Sequence, residues 1–261
     1  MSIALADPLN NAAFGDAPNL WPLPPASTPH ELWLRAVAAG GQGRYGKAMA
    51  DLEDLCRTQR RGPLVSLAHS TRASFLRQLG WHDRARGWDG RALALAGSDQ
   101  EAGADALIGL AADALGVGRF AASATALQRA DELVTGPRLP VRLAWVSAEL
   151  AMARGEGATA VGHAERAVER AAAFGSARHA LKSDVIRAAA LCSTGDIDAS
   201  RRVADAALQD AGRLGMIPLR WALACLLADI GSHGHTAADV LRIRNECAAT
   251  VRRRGGDLAE R

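Results

Sequence analysis

From Thr28 onward the chain alternates helix-length stretches rich in small apolar residues with short turns that contain glycine. In each turn a glycine is followed two residues later by an aromatic or small residue, and then by alanine or serine. The turn glycines are Gly43, Gly80, Gly118, Gly155 and Gly195, with a weaker instance at Gly231. They are separated by 37, 38, 37, 40 and 36 residues. This regular spacing predicts a repeated unit of two antiparallel helices joined at the glycine.

Small residues also recur at fixed distances from the turn glycines. The residues seven positions before the glycines are Ala36, Ala73, Ala111, Ala148, Ala188 and Ala224. The residues twelve positions after them are Ala92, Ala130, Ala167 and Ala207, with Leu55 as the exception. Since the distance between packed helices depends on the side chains at the contact, these positions predict closely packed helices.

The composition supports a helical fold. Alanine, the best helix former, is the most frequent residue, and the aromatic residues are limited to six Trp, four Phe and one Tyr. A β-sandwich or barrel needs more β-branched and aromatic side chains than this chain has. An apolar content of 49% and a charged content of 23% are typical of a globular protein. We therefore expect an all-α fold.

The repeated unit resembles the tetratricopeptide repeat. The likeness is carried best by Gly43, Tyr45 and Ala48 in the first unit and by Gly118 and Phe120 in the third, and it covers residues 29–254. The period exceeds the family's 34 residues, and the family's first-helix Trp-x-x-Leu-Gly pattern is absent. Longer variants of this kind resemble the helical repeat domains attached to some bacterial transcription regulators. The resemblance implies a right-handed superhelical solenoid of five to six helical hairpins.

The two ends of the chain differ from the repeats. Residues 1–28 contain five prolines, which predicts an extended, largely disordered N-terminal arm. Within this arm, Trp21 is interpreted either as an anchor for a partner or as a residue that folds back on the first helix. The repeat domain is predicted to span residues 29–254, and residues 255–261 are predicted to form a flexible tail.

If the family's groove positions carry over, the first helix of each unit lines a concave binding face. Counting back from the turn glycines gives a set of partner-binding candidates: Trp33, Arg77, Ile108, Trp145, Glu149, Met152, Val185 and Trp221. Three of the six Trp residues, at 33, 145 and 221, share one repeat position. Tryptophan and arginine are enriched at binding hot spots, although the same rings would also serve as core filler in an alanine-rich fold.

The net charge and the absence of known sequence motifs limit the kinds of function that we expect. The net charge of +3 is small, so direct nucleic-acid binding is not expected. The sequence contains none of the common signatures of hydrolases, nucleotide-binding enzymes or metalloproteases, so we expect a protein that is not an enzyme and that uses no cofactor and no metal. No positively charged region precedes an apolar run at the start, and no apolar run is long enough to span a membrane. These features predict a cytoplasmic protein without a membrane partner.

The sequence is most compatible with a non-catalytic protein–protein interaction scaffold that binds a peptide or helix of a partner in its concave groove. The alternative is a regulatory or sensor module that acts with a transcription complex, such as a sigma factor or regulator, without a DNA-binding motif of its own. A homo-oligomer formed through the convex faces is a third hypothesis.

Overall fold

The computed structural model describes residues 7–259, and over this range the chain forms thirteen α-helices and no β-strand. The helices are α1 (Pro8–Phe14), α2 (Pro29–Gly41), α3 (Tyr45–Thr58), α4 (Pro63–Gln78), α5 (His82–Ala96), α6 (Gln100–Gly116), α7 (Phe120–Asp131), α8 (Arg138–Ala153), α9 (Gly157–Phe174), α10 (Ala177–Ser193), α11 (Ile197–Arg213), α12 (Ile217–Ile230) and α13 (Ala237–Arg253). The all-α prediction is confirmed for this part of the chain.

From α2 onward, each helix packs against the next, as expected for a series of helical hairpins. The even-numbered helices α2 to α12 also pack on one another in chain order and form an inner layer. The odd-numbered helices α3 to α13 cover this layer from outside. The consecutive packing of paired helices is that of a helical repeat.

The predicted turns lie between the two helices of each hairpin. All six turn glycines have positive φ, from +73° at Gly43 to +93° at Gly80. This left-handed conformation is unfavourable for residues with a Cβ atom. A second series of positive-φ glycines, which the repeat pattern did not predict, lies between one hairpin and the next: Gly62, Gly97, Gly136, Gly175 and Gly215. Gly255, after the last helix, also has positive φ.

The small residues before the turn glycines lie at the contacts between helices. All six of these alanines are completely buried, with 0% exposure: Ala36, Ala73, Ala111, Ala148, Ala188 and Ala224. The four alanines in the second helices are buried as well: Ala92, Ala130, Ala167 and Ala207. The interpretation of these positions as close helix contacts is therefore confirmed.

Residues at the start of several helices cap the free backbone N–H groups of the first turn. Thr28 accepts a hydrogen bond from the Glu31 backbone N–H while Glu31 accepts one from the Thr28 backbone, and Pro29 occupies the first turn of α2. This capping box satisfies amide groups that have no partner inside the helix. Asp99 caps α6 in a similar way, through the Ala102 backbone N–H.

The N-terminal segment packs on the repeats, in contrast to the predicted disordered arm. Leu9, Ala12 and Ala13 of α1 are buried against the first hairpin. The Gln42 side-chain amide donates to the carbonyl groups of Pro18 and Leu20, each at 2.9 Å. Apolar burial and these hydrogen bonds order a segment that cannot form a long helix. Residues 1–6 of the predicted arm lie outside the described residues.

Trp21 in this segment folds back toward the first hairpin, which was one of its two interpretations. The Arg44 guanidinium lies over the indole, 3.4 Å from the ring centroid. The side chain is still 44% exposed, so it contributes little to the core.

The last helix ends beside the first hairpin. The Gly46 backbone N–H donates to the Arg254 carbonyl at 2.9 Å. The Arg254 side chain in turn donates to the Gln42 carbonyl at 2.7 Å, across 212 positions of sequence. The turn before α12 also approaches the first hairpin, because a Cβ atom at Gly43 would lie 3.4 Å from the Pro218 ring.

The predicted flexible tail is packed as far as the structure describes it. Trp81 Nε1 donates to the Asp257 carbonyl at 2.7 Å, and the Ala259 backbone N–H donates to the Leu79 carbonyl at 2.8 Å. The tail thus joins the end of the last hairpin to the turn of the second hairpin. Residues 260–261 lie outside the described range.

Candidate ligand-binding cavity

The inner helices line a partly open cavity of about 440 Å³. Its wall comes from α2, α4, α6, α8 and α10, from the start of α12 and from the last residue of α1. The residues that line it are Phe14, Trp33, Val37, Gly41, Thr71, Ser74, Phe75, Arg77, Gln78, His82, Ile108, Ala112, Leu115, Gly116, Arg138, Arg142, Trp145, Val146, Glu149, Arg178, His179, Lys182, Met216, Pro218 and Leu219. This volume is within the range of small-molecule binding sites, about 300–1,000 Å³.

Aromatic rings form one side of the cavity. Phe14 of α1 lies 5.5 Å from Trp33 of α2 and 6.1 Å from His179 of α10, measured between ring centroids. His179 stacks on Trp145 of α8 at 5.3 Å, with an angle of 20° between the ring planes. Since Phe14 contacts residues near the starts of α2 and α10, α1 covers this end of the cavity.

The two cavity indoles are held by hydrogen bonds to the next hairpin. Trp33 Nε1 donates to the Thr71 hydroxyl at 2.9 Å, and Trp145 Nε1 donates to the Ser183 hydroxyl at 2.8 Å. Each bond crosses 38 positions of sequence, so the repeat places two Trp residues in similar surroundings. With their polar atoms satisfied, the rings present apolar faces to the cavity.

A cluster of charged groups lies beside the aromatic rings. Arg138 donates to Asp105 at 3.1 Å and to Glu101 at 3.0 Å, and Arg142 also contacts Asp105. Asp105 is 2% exposed. Burial alone would raise the pKa of Asp105, but the two guanidinium groups more than offset this effect and hold the pKa below its usual value.

Arg178 of α10 extends toward the same cluster without an acidic partner. Within residues 7–259 it makes no ion pair or hydrogen bond, and its Nε atom is buried and unpaired. Its nearest aromatic neighbour is Phe14, whose ring centroid lies 5.7 Å from the guanidinium carbon. Burial, together with the positive charges of Arg142 and Arg138, lowers the pKa of Arg178 to about 10. The group is therefore still protonated at neutral pH.

A second charged network holds Arg77 in the cavity wall. Arg77 donates to Asp113 of α6 at 2.9 Å and contacts Asp89 of α5, and both carboxylates are buried. Burial raises the pKa of Asp89; Arg77 opposes this effect and Asp113 adds to it, so the pKa reaches about 7. Gly109 makes room for Asp89, since a Cβ atom there would lie 2.3 Å from its carboxylate.

Five of the eight predicted binding residues line this cavity: Trp33, Arg77, Ile108, Trp145 and Glu149. Met152, Val185 and Trp221 do not line it and pack instead against the hydrophobic clusters of the later hairpins. Thus Trp33 and Trp145 share the cavity, while Trp221 occupies the same repeat position without facing it. The function of all eight residues stays a prediction.

Apart from Arg77, the count from the turn glycines missed the cationic residues of the cavity, because it considered only positions up to ten residues before each glycine. Arg138 and Arg178 both lie seventeen positions before their glycines, and Glu101, which pairs with Arg138, has the same place in its own unit. A search of the first helical turn of each unit for shared charged positions would have found them.

No protein-family model matches the chain, and no match was found among curated proteins. Within residues 7–259, no helix combines the length and the apolar character needed to cross a bilayer. The same part of the chain holds no group of three or more His, Cys, Asp or Glu side chains arranged to bind a metal ion.

Proposed function

We propose that this chain is a non-catalytic ligand-binding module with a regulatory or sensor role. In this proposal, six helical hairpins form a right-handed, tetratricopeptide-like superhelix whose first and last hairpins meet, and the ligand occupies the central cavity. One observation carries the proposal: the inner helices line a cavity of about 440 Å³ between aromatic faces and a cationic cluster that contains an unpaired guanidinium group.

The volume of the cavity, about 440 Å³, supports a small molecule or the end of a peptide better than a whole helix. An α-helix with its side chains is about 10 Å across and lies along an open groove. Here α1 covers one end of the inner face, and the tail links the first hairpins to the last.

A sensor role follows from the number of elements that meet at the cavity. A ligand in contact with Phe14, Trp33 and His179 touches α1, α2 and α10 together. Binding therefore stabilises the arrangement in which these elements are packed. A protein that recognises this arrangement would distinguish the occupied form from the empty one.

The proposal is tested by a thermal-shift screen with anionic, cationic and neutral small molecules and short peptides. We expect at least one compound to raise the melting temperature of the wild-type chain. Ala112→Phe, which fills the cavity from α6, should abolish this shift. The matched control is Ala172→Phe, on the exposed face of α9, which should retain it.

A second pair of variants keeps the test decisive if Ala112→Phe does not fold. Trp145→Ala should weaken binding because Trp145 lines the cavity, whereas Trp221→Ala should not. The proposal is wrong if no compound raises the melting temperature, or if the responses of the cavity variants equal those of their controls.

A further inference from the structure

We propose that the cavity takes a small organic monocarboxylate, with its carboxylate bound by Arg178 and its apolar body against Trp33 and Ile108. This inference rests on the proposed function and adds the chemical class of the ligand.

Arg178 is positioned as a binding group. Its aliphatic part passes Gly41, where a Cβ atom would lie 3.1 Å from Cδ, so the absence of a side chain at 41 leaves room for it. Its guanidinium lies near the Phe14 ring at the covered end of the cavity, and its Nε atom has no hydrogen-bond partner within the described range. A buried Nε–H without an acceptor is unfavourable, whereas a bound carboxylate would supply both an acceptor and a counter-charge.

The other cations of the cavity already have carboxylate partners. Arg138 and Arg142 share Asp105, and Arg138 also reaches Glu101. Lys182 lies 3.5 Å from Glu149. Arg77 lies between two carboxylates, as described above. Arg178 is the cavity cation that forms an ion pair with none of these carboxylates, and Asp105, already shared by Arg138 and Arg142, acts on it only at longer range.

One unpaired guanidinium group favours a ligand with a single negative charge. A carboxylate matches it and accepts two parallel hydrogen bonds from an arginine side chain. A phosphate monoester carries about two charges at neutral pH and would leave one of them uncompensated. The charge of the cavity therefore favours a monocarboxylate.

The remaining surface of the cavity is mostly apolar. Trp33, Ile108, Val146 and Leu219 contribute apolar side chains to the lining. The indole nitrogen of Trp33 is already bonded to Thr71, so the ring contributes its face alone. This surface suits an aryl or alkyl group attached to the carboxylate.

The test uses isothermal titration of the full chain with para-bromophenylbutyrate and with its neutral amide, para-bromophenylbutyramide. We expect the carboxylate to bind about tenfold or more tightly than the amide, as charge-assisted hydrogen bonds allow. In Arg178→Gln this selectivity should fall below about twofold. para-Bromophenyl phosphate, the alternative anion, should bind more weakly than the carboxylate.

Arg220→Gln is the matched control. Arg220 of α12 also has a buried, unpaired Nε atom, but it does not line the cavity, so its substitution should leave the selectivity unchanged. Without ligand, Arg178→Gln should raise the melting temperature, because it removes an unpaired buried charge. A structural role for Arg178 would instead lower it.

The outcomes separate the inference from the proposed function. The inference is overturned if the wild type binds the acid and the amide equally tightly. If Ala112→Phe then binds neither compound, the proposed function of the cavity still holds. Tighter binding of the phosphate, unchanged selectivity in Arg178→Gln, or an equal loss in Arg220→Gln also overturns the inference. Failure of every probe, together with a thermal-shift screen without a response, overturns both.

Discussion

At the scale of single residues, this fold holds several charged side chains inside a wall made largely of small apolar ones. Asp89 and Asp113 are 0% and 1% exposed, and they share one guanidinium group, that of Arg77. Two buried carboxylates beside one cation leave an excess negative charge. A proton held by Asp89 removes this excess, which is consistent with its raised pKa.

Asp89 is therefore expected to make stability depend on pH. Between about pH 4 and 7 the folded chain retains a proton on Asp89 that the unfolded chain has lost, because the pKa rises from 3.8 to about 7 on folding. The unfolded state then binds fewer protons, so this group lowers the free energy of unfolding as the pH rises through that interval. Above about pH 7 the contribution of Asp89 to the free energy of unfolding no longer changes with pH.

Asp89→Asn tests this prediction by urea unfolding at pH 5 and pH 8. The loss of stability between these two pH values should be smaller in the variant than in the wild type by about 1–3 kcal/mol. Asp131→Asn, at an exposed position of α7, is the control and should follow the wild-type profile. An Asp89→Asn profile parallel to the wild type would show that Asp89 does not titrate in this interval.

At the scale of helices, the repeat pattern predicted most of what the structure shows. Turn glycines and buried alanines depend on local backbone conformation and on contacts with adjacent helices, so a regular spacing reveals them. The packing of α1 depends instead on Leu9 and Ala13 meeting the first hairpin, and this tertiary burial overrides the disorder expected from the prolines. The ion pairs between Arg138 and the carboxylates of α6 could not be predicted from the repeat pattern either, because they join residues of neighbouring units.

The buried alanine of an inner helix should not tolerate a larger side chain. Ala148 of α8 is 0% exposed, so Ala148→Leu must displace the neighbouring helices and should lower the free energy of unfolding by about 1–3 kcal/mol. Ala172→Leu on the exposed face of α9 makes the same chemical change and should stay within about 0.5 kcal/mol of the wild type. Chemical denaturation measures both, and equal effects would contradict the close contact at Ala148.

At the scale of the whole molecule, the last helix contacts the first hairpin, and the inner helices between them line one cavity. This contact uses backbone groups, such as the Arg254 carbonyl and the Gly46 N–H, and backbone groups leave no residue pattern in a sequence. For this reason the repeat pattern predicted the inner helices, whereas the cavity emerged from the structure alone.

Removal of residues 255–261 should loosen this contact. The deletion eliminates the hydrogen bonds that join the tail to Leu79 and Trp81, together with the packing of Leu258 on the first core cluster. We expect the melting temperature to fall by at least about 4 °C and the radius of gyration from small-angle scattering to increase. Arg252→Ala, at an exposed position near the end of α13, should change neither quantity. An unchanged melting temperature and radius in the truncated chain would show that the tail does not hold the hairpins together.

The central claim, that the inner helices line a ligand site, is tested most directly by locating a bound probe. Crystals grown with para-bromophenylbutyrate, at a concentration that saturates binding in solution, would reveal the bromine by its anomalous scattering. The predicted result is one peak per chain inside the cavity, near Trp33 and Ile108, with the carboxylate at Arg178. Saturated crystals with bromine only on the outer surface would contradict the claim.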